Sequence, residues 1–250
     1  MKSTNPALST KVLEQFGRPG QVQSGDVMTV EGAINKTAFL TFLVVVPAAW
    51  VWMQVAGSGG AAQAAMPWMI GGTIGGLIAA LVTVFKKEWS PVTAPIYAAL
   101  EGLALGGISA VLNTRYPGIA LQAVALTFGT LICMLIAYRT GLIKVTNKFR
   151  MGVVAATGAI ALVYLVTMVL SLFGVTVPFV FGGGTIGIVI SLVVVVVAAL
   201  NLALDFDFIE QAAGVGAPKY MEWYAAFGLM VTLVWLYLEL LRLLSKLRSR

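Results

Sequence analysis

The sequence contains no histidine, a single cysteine and few charged residues. Without histidine, no imidazole can bind a metal or titrate near neutral pH, so proton chemistry would depend on carboxylates. The single Cys133 excludes an internal disulfide and a thiolate metal cluster, and its place in an apolar run is typical of a small buried hydrophobe. Asp, Glu, Lys and Arg make up 10% of the chain, against roughly 25% in soluble domains. A soluble globular fold is therefore excluded.

In place of charge, the chain has long apolar runs. Seven of them approach the roughly 20 residues that a membrane-spanning helix needs. We therefore predict an all-α polytopic membrane protein, a seven-transmembrane-helix bundle. We expect an N-terminal cytoplasmic tail over 1–35, a transmembrane domain over 36–245 and a basic C-terminal tail over 246–250. The apolar segments are 37–56, 65–85, 94–112, 119–138, 151–173, 184–204 and 221–244.

The basic residues between the segments indicate an orientation. With the N-terminus in the cytoplasm, most Lys and Arg fall on the inner side, as the positive-inside rule requires. The net charge of +6 then reflects topology signals, and no nucleic-acid partner is expected. Seven spans place the tail outside, against that rule, although segment 221–244 is long and apolar enough to cross. The basic residues of this tail region are Arg242, Lys246, Arg248 and Arg250.

Small residues in the second and third segments favour close helix contacts. They are spaced four apart, as in the small-xxx-small pattern of packed membrane helices. We expect them to serve packing inside one bundle rather than a dimer interface. The residues are Gly71, Gly72, Gly75, Gly76, Gly102 and Gly106.

Acidic residues within the apolar segments are the main functional candidates, because an ionised side chain in hydrocarbon costs at least a few kcal/mol. Asp205 follows the sixth segment near its inner boundary; the alternative is an interfacial acid in water at the helix end. Glu101 lies seven residues into the third segment, without a basic residue within a turn, and so needs a partner from another helix or a proton. Because the third helix runs outward and the sixth inward, both can occupy the inner half. We predict an ion- or proton-sensing cluster of Asp205 and Glu101.

Three further acids have structural alternatives. Asp207 and Glu210 belong to the end of the sixth helix, where the macrodipole disfavours acids, so we expect a local cation such as Lys219. Glu239 lies in the seventh segment with Arg242 three residues further on the same helix face, and the two can pair. Glu239 and Asp207 nevertheless remain ion- or proton-sensing candidates.

Several separate stretches resemble the bacterial branch of the Bax inhibitor family of membrane proteins. The resemblance covers nearly the whole chain. It implies a seven-helix bundle with a central last helix. Together with the orientation predicted from Lys and Arg, we expect an integral protein of a bacterial inner (plasma) membrane with its N-terminus in the cytoplasm. The stretches are TNPALS, MTVEGAINKT, PIYAALEGLALGGIS and DFDFIEQAAGVGAPKYMEWYAAFGLMVTLVWLYLELLRLLSKL.

The resemblance also implies a function: a calcium leak gated by proton binding at a pair of aspartates on the sixth and seventh helices. Asp205 matches the first of them. The second position depends on how the last helix is matched to the family. Matching its pattern of apolar and acidic residues places Glu239 there. Matching the Leu-Leu-Arg sequence that ends at Arg242 places Thr232 there instead, and the pair would then lack its second acid. With Glu239, the two carboxylates would also be hard oxygen ligands suited to calcium. Calcium is then a transported ion, and no cofactor is expected.

Two other functions remain open. A non-conducting regulator of membrane proteins, including a membrane-bound protease as the resemblance also implies, would tolerate neutralising both Asp205 and Glu101. A proton-coupled transporter would also use intramembrane carboxylates, although no internal repeat favours it. An enzyme is not expected, because the sequence has no histidine, no metal-ligand spacing and no phosphate-binding glycine loop. The expected partners are therefore the lipid bilayer, calcium or other cations, and a membrane protein in the regulator case.

Overall fold

A computed structural model describes residues 27–59, 62–174, 182 and 184–249. Most of the predicted tail, residues 1–35, lies outside this part of the chain. The described residues form seven helices that are long and apolar enough to cross a membrane, which confirms the predicted class. A short 3-10 turn, Lys87–Trp89, precedes the third helix. The helices are α1 (Val30–Gly57), α2 (Ala62–Phe85), α3 (Ser90–Arg115), α4 (Ile119–Arg139), α5 (Asn147–Leu172), α6 (Thr185–Gly214) and α7 (Met221–Arg248).

Most of the helices extend beyond the predicted apolar segments, among them α1, α6 and α7. Helix α1 begins at Val30 rather than near residue 37, because the extended Thr29 caps it and its hydroxyl accepts a hydrogen bond from the Gly32 amide at 2.9 Å. Helix α6 continues ten residues past 204, to Gly214. Helix α7 continues to Arg248, so most of the predicted basic tail is helical. In each case the backbone remains helical where the side chains become polar.

The last helix occupies the centre of the bundle. Helix α7 packs against α1, α3, α4 and α6, whereas α2 packs mainly on α3 and α5 packs on α6. Two thirds of the most apolar part of α7 is buried, against about a tenth of the corresponding part of α5. The central last helix implied by the family resemblance is thus confirmed, and α5 is the most peripheral span.

Glycines allow α1, α2 and α3 to approach closely. A Cβ atom on Gly72 would lie 2.6 Å from the carbonyl oxygen of Leu100, and one on Gly106 would lie 2.5 Å from that of Ala48. Gly102 meets the backbone of α1 in the same way. Membrane helices gain stability from such close packing, because lipid supplies no hydrophobic driving force between them. These three glycines therefore serve packing within one bundle, as predicted, whereas a Cβ on Gly71 would meet no atom within 4 Å.

Candidate functional site

Asp205 is buried in the middle of the bundle. It lies nine residues before the end of α6 and is 2% exposed, so it is not an interfacial acid at a helix end. The hydroxyl of Thr232 on α7 lies beside its carboxyl group and donates to the carbonyl oxygen of Gly228 at 3.3 Å. Among the described residues, Asp205 Oδ2 has no hydrogen-bond partner and no cation pairs with the side chain. Thr232 is eleven residues into α7, or about 16 Å from its start, which places Asp205 at mid-depth.

Glu239 is buried further along α7 and is fully paired. Arg242 Nη1 donates to Glu239 Oε1 at 2.8 Å and to Oε2 at 2.9 Å. The hydroxyl of Tyr164 on α5 donates to Oε1 at 2.9 Å and accepts from Arg242 at 2.5 Å. The predicted pairing of Glu239 with Arg242 is confirmed. Because the Glu239 side chain is 2% exposed, this cation compensates a charge that would be costly to bury alone.

Asp205 and Glu239 do not share a site. Thr232, which contacts Asp205, precedes Glu239 by seven residues, or about 10 Å along the helix axis. The predicted calcium-ligand pair of Asp205 and Glu239 is not formed, and the described residues contain no group of three acidic, cysteine or histidine side chains that could hold a metal. Of the two alternatives for the second position, the structure favours Thr232.

Glu101 shares the depth of Asp205 but not its interface. The Tyr97 ring on α3 packs edge-on against the Phe227 ring on α7, with centroids 5.0 Å apart. Helices α3 and α7 run in parallel, so Glu101, one turn after Tyr97, lies level with the residue before Thr232. The half-buried Glu101 faces α2, where a Cβ on Gly76 would be 2.8 Å from its Oε2. The expected direct cluster with Asp205 is not formed, because α7 lies between the two helices.

The acids at the end of α6 have partners on α4 and α5. Arg150 on α5 pairs with Asp207. The hydroxyl of Tyr138 on α4 donates to Glu210 Oε2 at 2.7 Å. The predicted cation Lys219 is wrong for both acids, since it lies beyond the helix end and pairs elsewhere. Asp207 also accepts a hydrogen bond from Gln211 Nε2 at 2.7 Å, one turn further along α6.

Sequence reasoning missed a sixth carboxylate, Glu222, which joins the start of α7 to the start of α1. It is fully buried, with Lys36 Nζ 2.8 Å from Oε2 and Lys219 Nζ 3.2 Å from Oε1. The Thr29 backbone amide and hydroxyl both donate to Oε1 at 3.0 Å. A Cβ on Gly32 would overlap the carboxylate. The sequence did contain one signal for this site, because Lys219 precedes Glu222 by three residues and could pair with it. The contacts with Thr29 and Lys36 join residues far apart in the sequence and could not be predicted from it.

Polar contacts continue between α5, α6 and α7 through most of the depth of the bundle. We call this series the polar seam, and it runs beside the most peripheral span. Asp205 and Thr232 lie between its two ion pairs. In order from the start of α5 to the end of α7, its members are Arg150–Asp207, Asp205–Thr232, Asn201–Thr157 (2.8 Å), Tyr164–Glu239–Arg242 and Ser191–Lys246 (2.9 Å).

The basic residues at the end of α7 are held by the bundle. Lys246 Nζ donates to the Gly187 carbonyl oxygen at 3.0 Å. Arg248 donates to the Pro117 carbonyl oxygen at 2.6 Å and to Gln122 Oε1 at 2.9 Å. These contacts place the end of α7 beside the α3–α4 turn, at the end of the bundle opposite the start of α1. Lys246 and Arg248 of the predicted basic tail are thus bound within the bundle, and Arg250 lies outside the described residues.

Six apolar helices around a central α7, with a carboxylate at mid-depth that pairs with no described cation, define a polytopic membrane protein with an acidic centre. A family model described as Bax inhibitor 1 like matches residues 5–249, and the chain belongs to this family. The family suggested by the sequence stretches is thereby confirmed. No curated protein and no solved structure matches the chain significantly.

Proposed function

We propose that this protein is a pH-sensitive cation leak of the membrane, not an enzyme, with calcium as the transported ion and Asp205 as the main proton-sensing group. The observation that best supports this function is the buried Asp205 carboxyl group, which has no cation partner among the described residues. Such a group is stable in a dry interior only while it keeps a proton or when water or a cation reaches it. Its protonation is thereby linked to the hydration of its surroundings.

The polar seam is the proposed path. While Asp205 keeps its proton, it hydrogen bonds with Thr232 and the seam stays closed. Loss of the proton leaves an ionised carboxylate, which attracts cations strongly in a low dielectric and favours the entry of water. Helix α5 is the least buried span, so it can move away from the seam with the smallest loss of packing. The ion pairs of Asp207 and Glu239 lie on this path, one on each side of Asp205.

The sensor we propose is a single carboxylate supported by a distant second one. Thr232 stands where the resemblance led us to expect a second acid, so among the described residues α7 gives Asp205 no neighbouring acid with which to share a proton. Glu101 lies at the same depth on the other side of α7 and is half-buried, so it is the proposed secondary group. The two acids would act through α7 rather than through a shared ligand.

The orientation belongs to the same proposal. The end of the bundle that contains the start of α1 and residues 86–89, 140–146 and 215–220 is rich in Lys and Arg. By the positive-inside rule this end faces the cytoplasm of a cell with a bacterial type of inner membrane. The end of α7 then faces outward, and the seam connects the two sides.

Calcium flux into proteoliposomes that contain the purified protein, measured from pH 5 to pH 8, tests the function. We expect wild-type flux to rise with pH, because the ionised Asp205 both attracts cations and favours water entry. Asp205→Asn cannot ionise and should show little pH dependence. Glu88→Gln is the matched control, since Glu88 is an exposed acid at the end of the bundle and its neutralisation should leave the pH profile unchanged.

Other outcomes would select another function. Flux no higher than in empty liposomes at every pH contradicts the leak and favours the non-conducting regulator, including one of a membrane-bound protease. Flux that requires an imposed proton gradient favours the proton-coupled transporter. A wild-type pH profile in Asp205→Asn would remove Asp205 from the mechanism, whatever the protein conducts.

A further inference from the structure

A lateral cleft opens between α1 and α4. It consists of two cavities of about 430 and 460 Å³, which share Thr41 and Phe128 in their lining. Helices α1 and α4 have no extended interface with each other, and residues of α6 and α7 line the floor. Along α4 the lining extends from Ala120 to Arg139, a rise of about 29 Å, which matches the roughly 30 Å hydrocarbon core of a bilayer.

The walls of the cleft suit hydrocarbon rather than an ion. Most lining side chains are aliphatic or aromatic. The hydroxyls of Thr37, Thr41 and Thr127 donate to backbone carbonyls of their own helices at 2.8–2.9 Å. These donors are therefore already satisfied. The cleft therefore offers a ligand few polar contacts, unlike the polar seam. A ligand that fills it must have a long apolar part.

The mouth of the cleft presents one positive and one negative side chain. Arg139 ends α4 and Glu210 lies in the last turns of α6; both are exposed and both line the same cavity. Arg139 makes no ion pair with another described residue, and Glu210 accepts only the Tyr138 hydroxyl, through Oε2, leaving Oε1 without a described partner. Opposite charges above an apolar cleft complement a headgroup that contains both a phosphate and an ammonium.

We propose that the cleft between α1 and α4 binds a zwitterionic phospholipid of the phosphatidylethanolamine class. An acyl chain lies in the cavity, the phosphate contacts Arg139, and the primary ammonium donates to Glu210. A spanning helix, about 10 Å wide and 30 Å long, has a volume on the order of 2,000 Å³. It could cover the cleft but could not fill cavities of this size. This site does not depend on the proposed leak.

Native mass spectrometry of the detergent-purified protein, titrated with lipids of identical acyl chains, tests the site. We expect phosphatidylethanolamine to bind more tightly than phosphatidylcholine, whose ammonium cannot donate a hydrogen bond, and than phosphatidylglycerol, which has no ammonium. Arg139→Gln and Glu210→Gln should each weaken phosphatidylethanolamine binding about tenfold, as expected for the loss of one charge-assisted hydrogen bond. Glu210→Gln should leave phosphatidylglycerol binding unchanged. Lys148→Gln and Glu31→Gln, at exposed charges that do not line the cleft, are the matched controls.

A second pair of variants tests the cleft itself. Ala38 is an exposed residue of α1 that lines the cavity of about 430 Å³, the one that also contains Arg139 and Glu210. Ala38→Trp should therefore fill this cavity and weaken binding of all three lipids. Ala161→Trp places the same side chain on the exposed surface of α5 and should bind like the wild type. Equal binding of the three lipids, preference for phosphatidylglycerol, or wild-type binding by Ala38→Trp would each overturn the proposal. Binding of a helical membrane protein that phosphatidylethanolamine does not displace would assign the cleft to that partner instead.

Discussion

Thr232, and not Glu239, is the α7 residue that contacts the carboxyl group of Asp205. Glu239 lies two turns further along the helix, where Arg242 and Tyr164 bind it. The sixth and seventh helices thus place one titratable group, rather than two, at the centre of the bundle. A sensor of this kind should respond to pH through one proton.

The first prediction concerns the substitution Thr232→Asp. It places a second carboxylate against Asp205, and two close carboxylates titrate as a coupled pair in two steps. The pH profile of calcium flux should change from one proton-linked step to two. Thr232→Asn is similar in size but cannot ionise, so it should keep a single step. A single step in Thr232→Asp would show that the two side chains do not face each other in the membrane.

A second prediction concerns the buried ion pair of the polar seam. Arg242→Gln removes the cation from Glu239, whose side chain is 2% exposed, and leaves a carboxylate in a dry site. We expect a loss of about 2 kcal/mol in the free energy of unfolding, below the range for fully buried pairs because Arg242 is about one-third exposed. Chemical denaturation in detergent measures it. The double substitution Glu239→Gln and Arg242→Gln removes both charges and should recover part of the loss; an additive loss would contradict direct pairing.

The link between the starts of α1 and α7 leads to a third prediction. Glu222→Gln removes the negative charge shared by Lys36, Lys219 and Thr29. We expect a loss of about 2 kcal/mol in the free energy of unfolding, below the range for fully buried pairs because Lys36 and Lys219 are partly exposed. Glu31→Gln, in the exposed first turn of α1, should change stability by no more than about 0.5 kcal/mol. Equal effects of the two variants would show that Glu222 does not join the helices.

A fourth prediction compares two adjacent glycines of α2, whose replacement by alanine should change the free energy of unfolding in opposite directions. Gly72→Ala places a methyl group 2.6 Å from the Leu100 carbonyl oxygen, so α2 and α3 must separate. Overpacking of this kind costs typically about 1–3 kcal/mol. Gly71→Ala meets no atom within 4 Å, and it should stabilise the helix by up to about 1 kcal/mol, since alanine is the better helix former. The same denaturation measurement compares the two variants, and destabilisation by both would contradict the packing described.

Apolar length was sufficient to predict all seven spans, because hydropathy reports which segments can enter a membrane. It could not locate the end of α6. The segment beyond residue 204 contains three acids, and it continues as helix because Asp207 and Glu210 find Arg150 and Tyr138 on neighbouring spans. Helix ends that depend on such distant partners leave no periodic signal in the sequence.

The acidic residues were predictable as candidates, but their partners were not. Asp205 and Glu101 were identified because charge is rare in hydrocarbon, and the pairing of Glu239 with Arg242 was predicted because both lie on one helix. The choice of Thr232 over Glu239 depends on the register between α6 and α7, which one sequence does not contain. Glu222 was missed because most of its hydrogen-bond and ion-pair partners lie at the start of α1, and Thr29 is 193 residues away in the sequence.

The helix at the centre of the bundle is also the one that follows the other six in the chain. During synthesis, α1 to α6 must therefore enter the bilayer before the surface on which four of them pack exists. Until α7 is made, Lys36 lacks its counter-charge and Asp205 lacks the hydroxyl that contacts it. These polar contacts can form only once α7 is present. Until this last helix arrives, the other six can be inserted in the bilayer, but the bundle is not yet folded.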